Sequence, residues 1–563
     1  VSPVRGKVEV LAGVKVLGRR GEKQRTEDWR TLHWKTYQRN VYRLQKRIYQ
    51  ATRQGDWKRV HKLQRLLLRS WSARCIAVRQ VSQDNRGKRT AGVDGVKNLT
   101  SPLRLRLAHK LAQLAEWQVA PIRRTYIPKP GTTEKRGLGI PVMADRACQA
   151  LVKLALEPEW EAQFEPNSYG FRPGRAVHDA IEAIFNTICL KPKYVLDADI
   201  EKCFDRINHD ALLNKLETLP VVEQLVRGWL KAGIVDAGQW LFPEAGTPQG
   251  GVISPLLANI ALHGFERALV AVSRRHHISV IRYADDFVVM CIDLEAVLAV
   301  KQRAEEWLAE MGLRLKEAKT HITHTLNDYA GQVGFDFLGF HVRQYRVGRH
   351  RTRTYRGRPG FKTLITPAMK GVKRHTEKVR RIIQQYRGAP QTALITVLNP
   401  VIRGWTNYYR TCVAKDTFNQ MDRLLFEKVM GWAAYRHPNR GYRWRYRRYW
   451  RRRGLRMVFS DGTHTLNHYA EAHIVRHVKV RGEKSPYDGD WVYWGARLGR
   501  DPTKPGRVTR LLKQQQGRCG NCGSLLTTED VMEIHHRDGN RRNDQYTNLV
   551  LLHAHCHDQA HAG

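Results

Sequence analysis

Two short segments constrain this chain more than any others. The first, Tyr194-Val195-Leu196-Asp197-Ala198-Asp199-Ile200-Glu201-Lys202-Cys203-Phe204-Asp205, starts apolar, reads as a buried strand, and ends in acids and an aromatic. The second, Val280 to Met290, sets Ala284-Asp285-Asp286 between two β-rich halves, which predicts a hairpin with carboxylates at its turn. Adjacent carboxylates between apolar strands are costly unless cations neutralise them. Oxygen ligands of this kind suit Mg2+, which keeps waters and accepts substrate phosphates. One carboxylate on each of two neighbouring strands can hold two such ions about 4 Å apart for in-line phosphoryl transfer. A solvated acidic turn would explain either segment alone; the pair is far more specific.

The charge balance points the same way. Lys+Arg number 97 and Asp+Glu 52 in 563 residues, a formal charge of +45. Self-repulsion of that size calls for an anionic counterpart, and a large nucleic acid fits better than a small metabolite. A hydrophobic fraction of 42% argues against wholesale disorder. At roughly 150 residues per domain, the length predicts three or four domains. No apolar run approaches the ~20 residues of a membrane span. Val1-Ser2-Pro3 opens no signal peptide, and without a Met the native start is expected upstream. Cys75, Cys148, Cys189, Cys203, Cys291 and Cys412 are scattered, as reduced cytosolic thiols are.

Along the chain, residues 1–27 read as a basic arm. From Asp28 to about Arg79, one set at helical spacing (Val41, Leu44, Ile48) and another (Val60, Leu63, Leu67, Trp71) predict two helices with basic outer faces. Residues 91–341 mix α and β, and 343–362 form a basic linker or hairpin. Residues 367–439 are again helical, with apolar stripes at Leu394, Val397, Ile402 and Trp405, then Leu424, Leu425, Val429 and Trp432. Arg440–Arg456 holds nine arginines and no acid in 17 residues, interleaved with Tyr442, Trp444, Tyr446, Tyr449 and Trp450. Arginines supply phosphate contacts and aromatics supply stacking platforms for unpaired bases, the alternative being a solvated linker. Near the end, Cys519 and Cys522 share an x2 spacing with His553 and Cys556, a set suited to structural tetrahedral Zn2+. His555 and His561 are alternatives to His553.

Tyr283-Ala284-Asp285-Asp286 resembles the Tyr-x-Asp-Asp box of reverse transcriptases, and Asp199 with Phe204 resembles their first palm motif. The resemblance implies Asp199 and Asp285 as ligands of two catalytic Mg2+ ions, with the Ile200 carbonyl completing a shell and Asp286 assisting. It places Phe204 under the incoming sugar, where it selects deoxynucleotides. Tyr126–Pro130 followed by Lys135–Pro141 resembles the fingers motif, implying that Lys129 and Arg136 grip the triphosphate. Gly246–Pro255 resembles the next motif, with Gln249 at the nascent nucleotide. Gly312-Leu313 with Lys319-Thr320, then Phe337-Leu338-Gly339-Phe340, resemble the last two palm motifs, the latter gripping the primer.

Ala91–Gly95, Ser168–Arg175 and Leu398–Trp405 with Asn407–Tyr409 narrow the resemblance to group II intron-encoded proteins, or maturases. Their helical thumb, the X domain, also binds intron RNA, here expected through Arg403 and Trp405. The arginine run falls where that family has its DNA-binding domain, implying contacts from Arg443, Trp444, Arg445, Arg447, Arg448, Arg451 and Arg452. Glu533–Asn540 with Asn548 and His557 resembles an HNH endonuclease, a ββα-metal nuclease. That likeness implies His536 as general base, His535 and His557 holding one Mg2+, and Asn548 bracing the loop; the roles of His535 and His536 stay open. A nuclease-dead zinc ribbon is the alternative.

The expectation is a multidomain α+β chain built as a right-hand polymerase. Its parts are an arm (1–27), N-terminal extension and fingers (28–195), palm (196–345), α-helical maturase thumb (355–439), basic DNA-binding segment (440–508) and HNH zinc module (509–563). It would bind intron RNA, a DNA target with an exon junction and dNTPs, with no membrane, in bacterial cytoplasm and at the nucleoid during insertion. It would promote splicing, nick one target strand and copy RNA into cDNA. The rivals are a splicing-only maturase with a vestigial polymerase and a retron- or defence-type reverse transcriptase.

Overall fold

The computed structural model describes residues 28–128, 134–236, 238–241, 244–247, 249–273, 275–348, 360–527 and 530–561. The expected basic arm and Lys129 lie outside the described residues.

The N-terminal extension has three helices, not two: Trp34–Arg53, Trp57–Arg69 and Trp71–Arg79. The apolar spacing runs on through Trp71, but Ser70 turns to an extended conformation (ψ 125°) and ends the second helix. Asp56 caps that helix by accepting the Arg59 N–H at 3.1 Å. Ile48, Val60, Leu67 and Val78 close one core with Ala147, Leu151 and Leu156 of the helix Met143–Glu161.

The fingers hairpin pairs Ile122–Pro128 with Lys135–Ile140, and Ile234–Asp236 joins it in parallel. The palm is a four-stranded antiparallel sheet in the order Ser279–Tyr283, Asp286–Cys291, Tyr194–Asp199, His321–His324. Alternate residues of its central strands serve two cores. Leu196, Ala198, Phe287 and Val289 face the helix Leu294–Glu310, while Val195, Val288 and Met290 face the helix Val177–Ile188 and the thumb. The expected fingers–palm boundary at 195/196 therefore cuts a continuous strand whose two sides are both core. At the described ends of the basic stretch 343–362, Phe340–Arg346 pairs antiparallel with Phe361–Pro367, and it also pairs with Phe335–Phe337.

The thumb helices are Met369–Gln385, Gln391–Tyr409 and Lys415–Arg436. Beyond them, the helix Tyr442–Tyr449 and the strand pair Trp450–Arg453/Arg456–Phe459 do not form a separate body. Tyr449, Trp450 and Phe459 sit in the core that contains Leu425, Val429 and Trp432. The chain then returns to the palm. Asp179 accepts the Val480 N–H at 2.8 Å and the Arg497 guanidinium at 2.6 Å, and Arg175 donates to the Gly482 carbonyl at 3.2 Å.

The terminal module has a helix Gly506–Gln514, an antiparallel pair Met532–His536/Leu549–His553, and a helix Ala554–Ala560. Its core is small, centred on Leu511, Leu512, Leu526, Leu551 and Leu552. It docks on the N-terminal extension, with the Trp34 ring edge-on to His555 at 6.3 Å and Gln559 donating to the Arg30 carbonyl at 3.4 Å. Among the described residues no helix is long and apolar enough to cross a membrane.

Candidate functional site

The palm register places the acids. Tyr283 pairs with Asp286 around a turn of Ala284 and Asp285, and Asp199 lies directly opposite Asp286 on the next strand. The Ile200 N–H donates to the Asp285 carbonyl at 3.2 Å, so the two segments meet where the sheet ends. Lys316 N–H donates to the Asp199 carbonyl at 2.8 Å, and Lys319 Nζ lies 2.5 Å from Asp199 Oδ2.

The turn is held from behind. Ala284 takes a left-handed φ of 59°, rare for a residue with a Cβ. Tyr169 N–H donates to the Arg282 carbonyl at 2.9 Å, and Arg282 N–H to the Asn167 carbonyl at 3.0 Å. The buried Arg282 guanidinium donates to the Ala284 carbonyl and to Asn259 Oδ1, both at 3.1 Å. Gly170 passes so close that an added Cβ would stand 2.3 Å from the Ala284 nitrogen. The Ser168–Arg175 loop, which in the sequence only narrowed the family, is thus the buttress of the acidic turn.

Crowding shows in the acids' protonation. Burial first, then the Asp285 and Asp199 charges, pushes Asp286 up to about 7. Asp285 is raised mainly by burial, with Arg136 and Lys319 opposing. Asp197, two residues before Asp199 on the same strand face, is pushed up to about 7 by burial and by Asp286 and Asp336. Among the described residues the palm carboxylates do not converge as closely as the Cys/His groups below; Asp199 is ion-paired to Lys319. Crowded, desolvated carboxylate oxygens are a hard donor set that fits Mg2+.

The residues expected at the nucleotide gather around the same edge. Phe204 is half-buried and meets Phe171 edge-to-face at 5.9 Å. Phe171 was not singled out from the sequence; it is 49% exposed at φ 60°, between the buttress glycine and Arg172. Thr247 N–H donates to the Phe204 carbonyl at 2.5 Å. Gly246 has φ 90°, and a Cβ there would lie 2.6 Å from the Asp205 backbone. Gln249 donates to Asp205 at 3.5 Å, and its carbonyl accepts the Gly139 N–H at 2.7 Å, tying this loop to the fingers strand that carries Arg136. Arg136 is exposed.

In the thumb, Tyr408 and Tyr409 hydroxyls donate to the Leu338 and Gly339 carbonyls at 3.0 and 3.1 Å, fixing the turn at Leu338-Gly339. Arg403 is exposed, but Trp405 is not a free platform. Its ring stacks on His375 (4.7 Å, 16°) and packs against Phe418 and Tyr469. The arginine run needs a similar correction. Tyr442, Tyr446 and Trp450 stack on one another at 6.2 and 5.3 Å, Tyr449 is buried, and Trp444 abuts His437. Arg443, Arg447, Arg448, Arg451 and Arg452 remain exposed, whereas Arg445 is spent on the His437 and Pro438 carbonyls.

At the chain's end, the ligand atoms of Cys519, Cys522, His553 and Cys556 all lie within 4.8 Å of one another, all buried. His555 is not in this group; its ring stacks on His553 at 4.9 Å. Contact with Cys522 and Cys556 holds Cys519 well below the usual thiol range, towards the thiolate a metal requires. A second group unites His535, His557 and His561 within the same 4.8 Å limit. His561, weighed in the sequence only as a zinc ligand, belongs here; its i, i+4 spacing from His557 on one helix was the signal available. Glu533 accepts from His557 Nδ1 at 2.7 Å, an orienting carboxylate. His536 points elsewhere, 3.4 Å from Asp544, which Arg507 holds at 2.9 and 3.0 Å. Asn548 accepts the Asp538 N–H at 3.0 Å and donates to Asp538 and the Asn543 carbonyl, closing the loop between the strands.

Three stretches match family models: residues 29–111 the N-terminal domain of reverse transcriptase, 127–342 reverse transcriptase (RNA-dependent DNA polymerase), and 372–450 the group II intron maturase-specific domain. The Cys/His module lies outside them. Protein YkfC of Escherichia coli is 34% identical over 340 residues, 52% of this chain and 85% of the relative. Group II intron-encoded protein LtrA of Lactococcus lactis subsp. cremoris is 27% identical over 395 residues, 54% of this chain and 63% of LtrA, so under two thirds of that relative is spanned. Maturase-like protein 1 of Euglena gracilis is 25% identical over 407 residues, 71% of this chain and 81% of the relative.

Proposed function

Starting from a chain that belongs to the reverse transcriptases and carries a group II intron maturase-specific domain, we propose that it is a group II intron-encoded protein with three tasks. It binds its intron RNA and promotes splicing, nicks one strand of a DNA target, and copies the RNA into cDNA from the exposed 3′-OH. The observation that carries this reading is the register of Asp199 against the Asp285–Asp286 turn at one end of the palm sheet.

In the polymerase step, two Mg2+ ions held by Asp199, Asp285 and the Ile200 carbonyl would neutralise developing phosphoryl charge. Asp286 shapes the field there. Arg136 and Lys129 receive the triphosphate, Gln249 positions the nucleotide, and Phe204 with Phe171 forms the floor that excludes a 2′-OH. Fixed cations aimed at phosphoryl oxygens stabilise charge as it develops. Leu338 and Gly339, pinned by the thumb tyrosines, hold the primer end, while Arg403 and the exposed arginines of 443–452 contact nucleic-acid backbone.

In the nicking step, His535 and His557 would hold one Mg2+ or similar ion, with His561 completing the set. His536 takes a proton from the attacking water, and Asp544 orients its imidazole. Zn2+ bound by Cys519, Cys522, His553 and Cys556 would hold the module together. The setting is the bacterial cytoplasm, with the particle on the nucleoid during insertion. The complete carboxylate set favours this over a splicing-only maturase.

The test is a reconstituted particle of protein and intron RNA given duplex DNA containing an exon junction. Asp285→Ala should abolish RNA-templated extension and keep the nick; His536→Ala should abolish the nick, and extension with it on an intact target, while still extending a target supplied already nicked. Extension that survives Asp285→Ala, or nicking that survives His536→Ala, would overturn the corresponding assignment.

A further inference from the structure

Between the N-terminal extension, the segment 475–504 and the Cys/His module lies a cleft of about 1550 Å3 that meets the roles above only at His553. It exceeds the roughly 300–1,000 Å3 of small-molecule pockets. Fifteen of its lining residues are Lys or Arg and five are Asp or Glu. One wall is a single helix stripe at helical spacing, Lys35, Arg39, Tyr42 and Lys46; the other includes Trp491, Arg500 and Lys504. Lys35, Arg39, Arg500 and Lys504 face no carboxylate partner among the described residues, whereas the lining acids Glu157, Asp84 and Asp530 are paired with Lys153, Arg79 and His553, and Asp490 with Lys484. Tyr42 and Trp491 stand 4.2 Å apart at a 46° tilt, offering ring surface between the cations. Two buried polar atoms of the lining, Arg175 Nε and His555 Nε2, have no hydrogen-bond partner among the described residues, and such atoms are costly unless a ligand serves them.

Cations with aromatics between them, along a cleft longer than one small ligand, are the features that bind a single nucleic-acid strand. We infer that the cleft binds a short single-stranded segment of DNA and leads it past the Cys/His module. The choice of DNA rests on the nicking role proposed above, since the cleft's far wall is that module.

The experiment measures binding alone, with the full chain and no added Mg2+, so the result does not depend on nicking or polymerisation. Fluorescence anisotropy of a labelled oligothymidylate is read against salt for three triple variants. Lys35→Ala/Arg39→Ala/Lys46→Ala and Arg500→Ala/Lys504→Ala/Lys513→Ala alter opposite walls, so a folding defect in one leaves the other informative. Lys58→Ala/Lys62→Ala/Arg65→Ala, on an exposed helix face outside the cleft, is the charge-matched control. Each cleft variant should bind at least about tenfold more weakly and lose roughly two from the slope of log affinity against log salt, at about 0.7 per phosphate contact for single strands. The control should stay within about twofold of the parent. Cleft variants that behave like the control would overturn the proposal. So would an equal loss for a duplex of the same length, or an oligouridylate bound more tightly than oligothymidylate through the same residues. A protein that shows the expected losses yet never nicks DNA would retain the cleft assignment and lose the nuclease reading instead.

Discussion

At the scale of single residues, the palm acids carry a testable electrostatic signature. Asp286 ionises in the folded chain only near 7, against an ordinary value of 3.8. Its folded value is raised, so the folded state binds the extra proton and its ionisation costs stability as pH rises through that window; below the ordinary value both states are protonated and nothing changes. Without divalent ions, the melting temperature should therefore fall between about pH 4 and about pH 7 and level off above that. Mg2+ should restore more of it at the higher pH, and Asp286→Asn should flatten the trend. A Mg2+ effect independent of pH would contradict the assignment of these acids. Asp199, Asp285 and Asp286 were legible in the sequence because charge between apolar β-formers is rare without a purpose. Phe171 and His561 were not, since a lone aromatic in a glycine-rich loop and a histidine four residues after His557 have ordinary explanations until the fold brings them to their partners.

At the scale of elements, the sequence showed what each segment is better than what it touches. The hairpin around Ala284-Asp285 follows from local apolar patterning, whereas the ββα pattern at 532–560 was implied only by the resemblance to HNH endonucleases. The three-helix extension was misread because Ser70 interrupts a periodicity that residues on both sides continue. The aromatics of 442–450 were read as open platforms, but helical spacing aligns Tyr442, Tyr446 and Trp450, and they stack on themselves. The buttress under the acidic turn gives the sharpest prediction. Gly170→Ala forces a methyl to 2.3 Å from the Ala284 nitrogen and should cost about 1–3 kcal/mol in urea unfolding. Primer extension should fall by tenfold or more while binding of intron RNA is kept. If Gly170→Ala were neutral in both assays, the packing of that loop on the turn would be wrong. Tyr409→Phe, which removes a 3.1 Å hydrogen bond to Gly339, should lower processivity on long templates with little loss of stability, about 1 kcal/mol.

At the scale of the whole molecule, the first and last described segments meet: the Cys/His module rests on Trp34 and Arg30, and the segment after the thumb is tied back to the palm through Asp179. No periodicity reveals contacts between residues hundreds of positions apart, which is why 440–508 was expected to be a body of its own. Because the terminal core is small, metal removal should unmake it first. Hydrogen exchange after chelation should show protection lost across 519–561 while the palm strands stay protected; simultaneous loss in both would mean that the ends fold as one unit. The most direct test of the account is primer extension on an RNA template by the purified full chain with Mg2+ and dNTPs. Full-length cDNA is expected from the unaltered protein and none from Asp285→Ala. No cDNA from the unaltered protein, or equal cDNA from both, would contradict it.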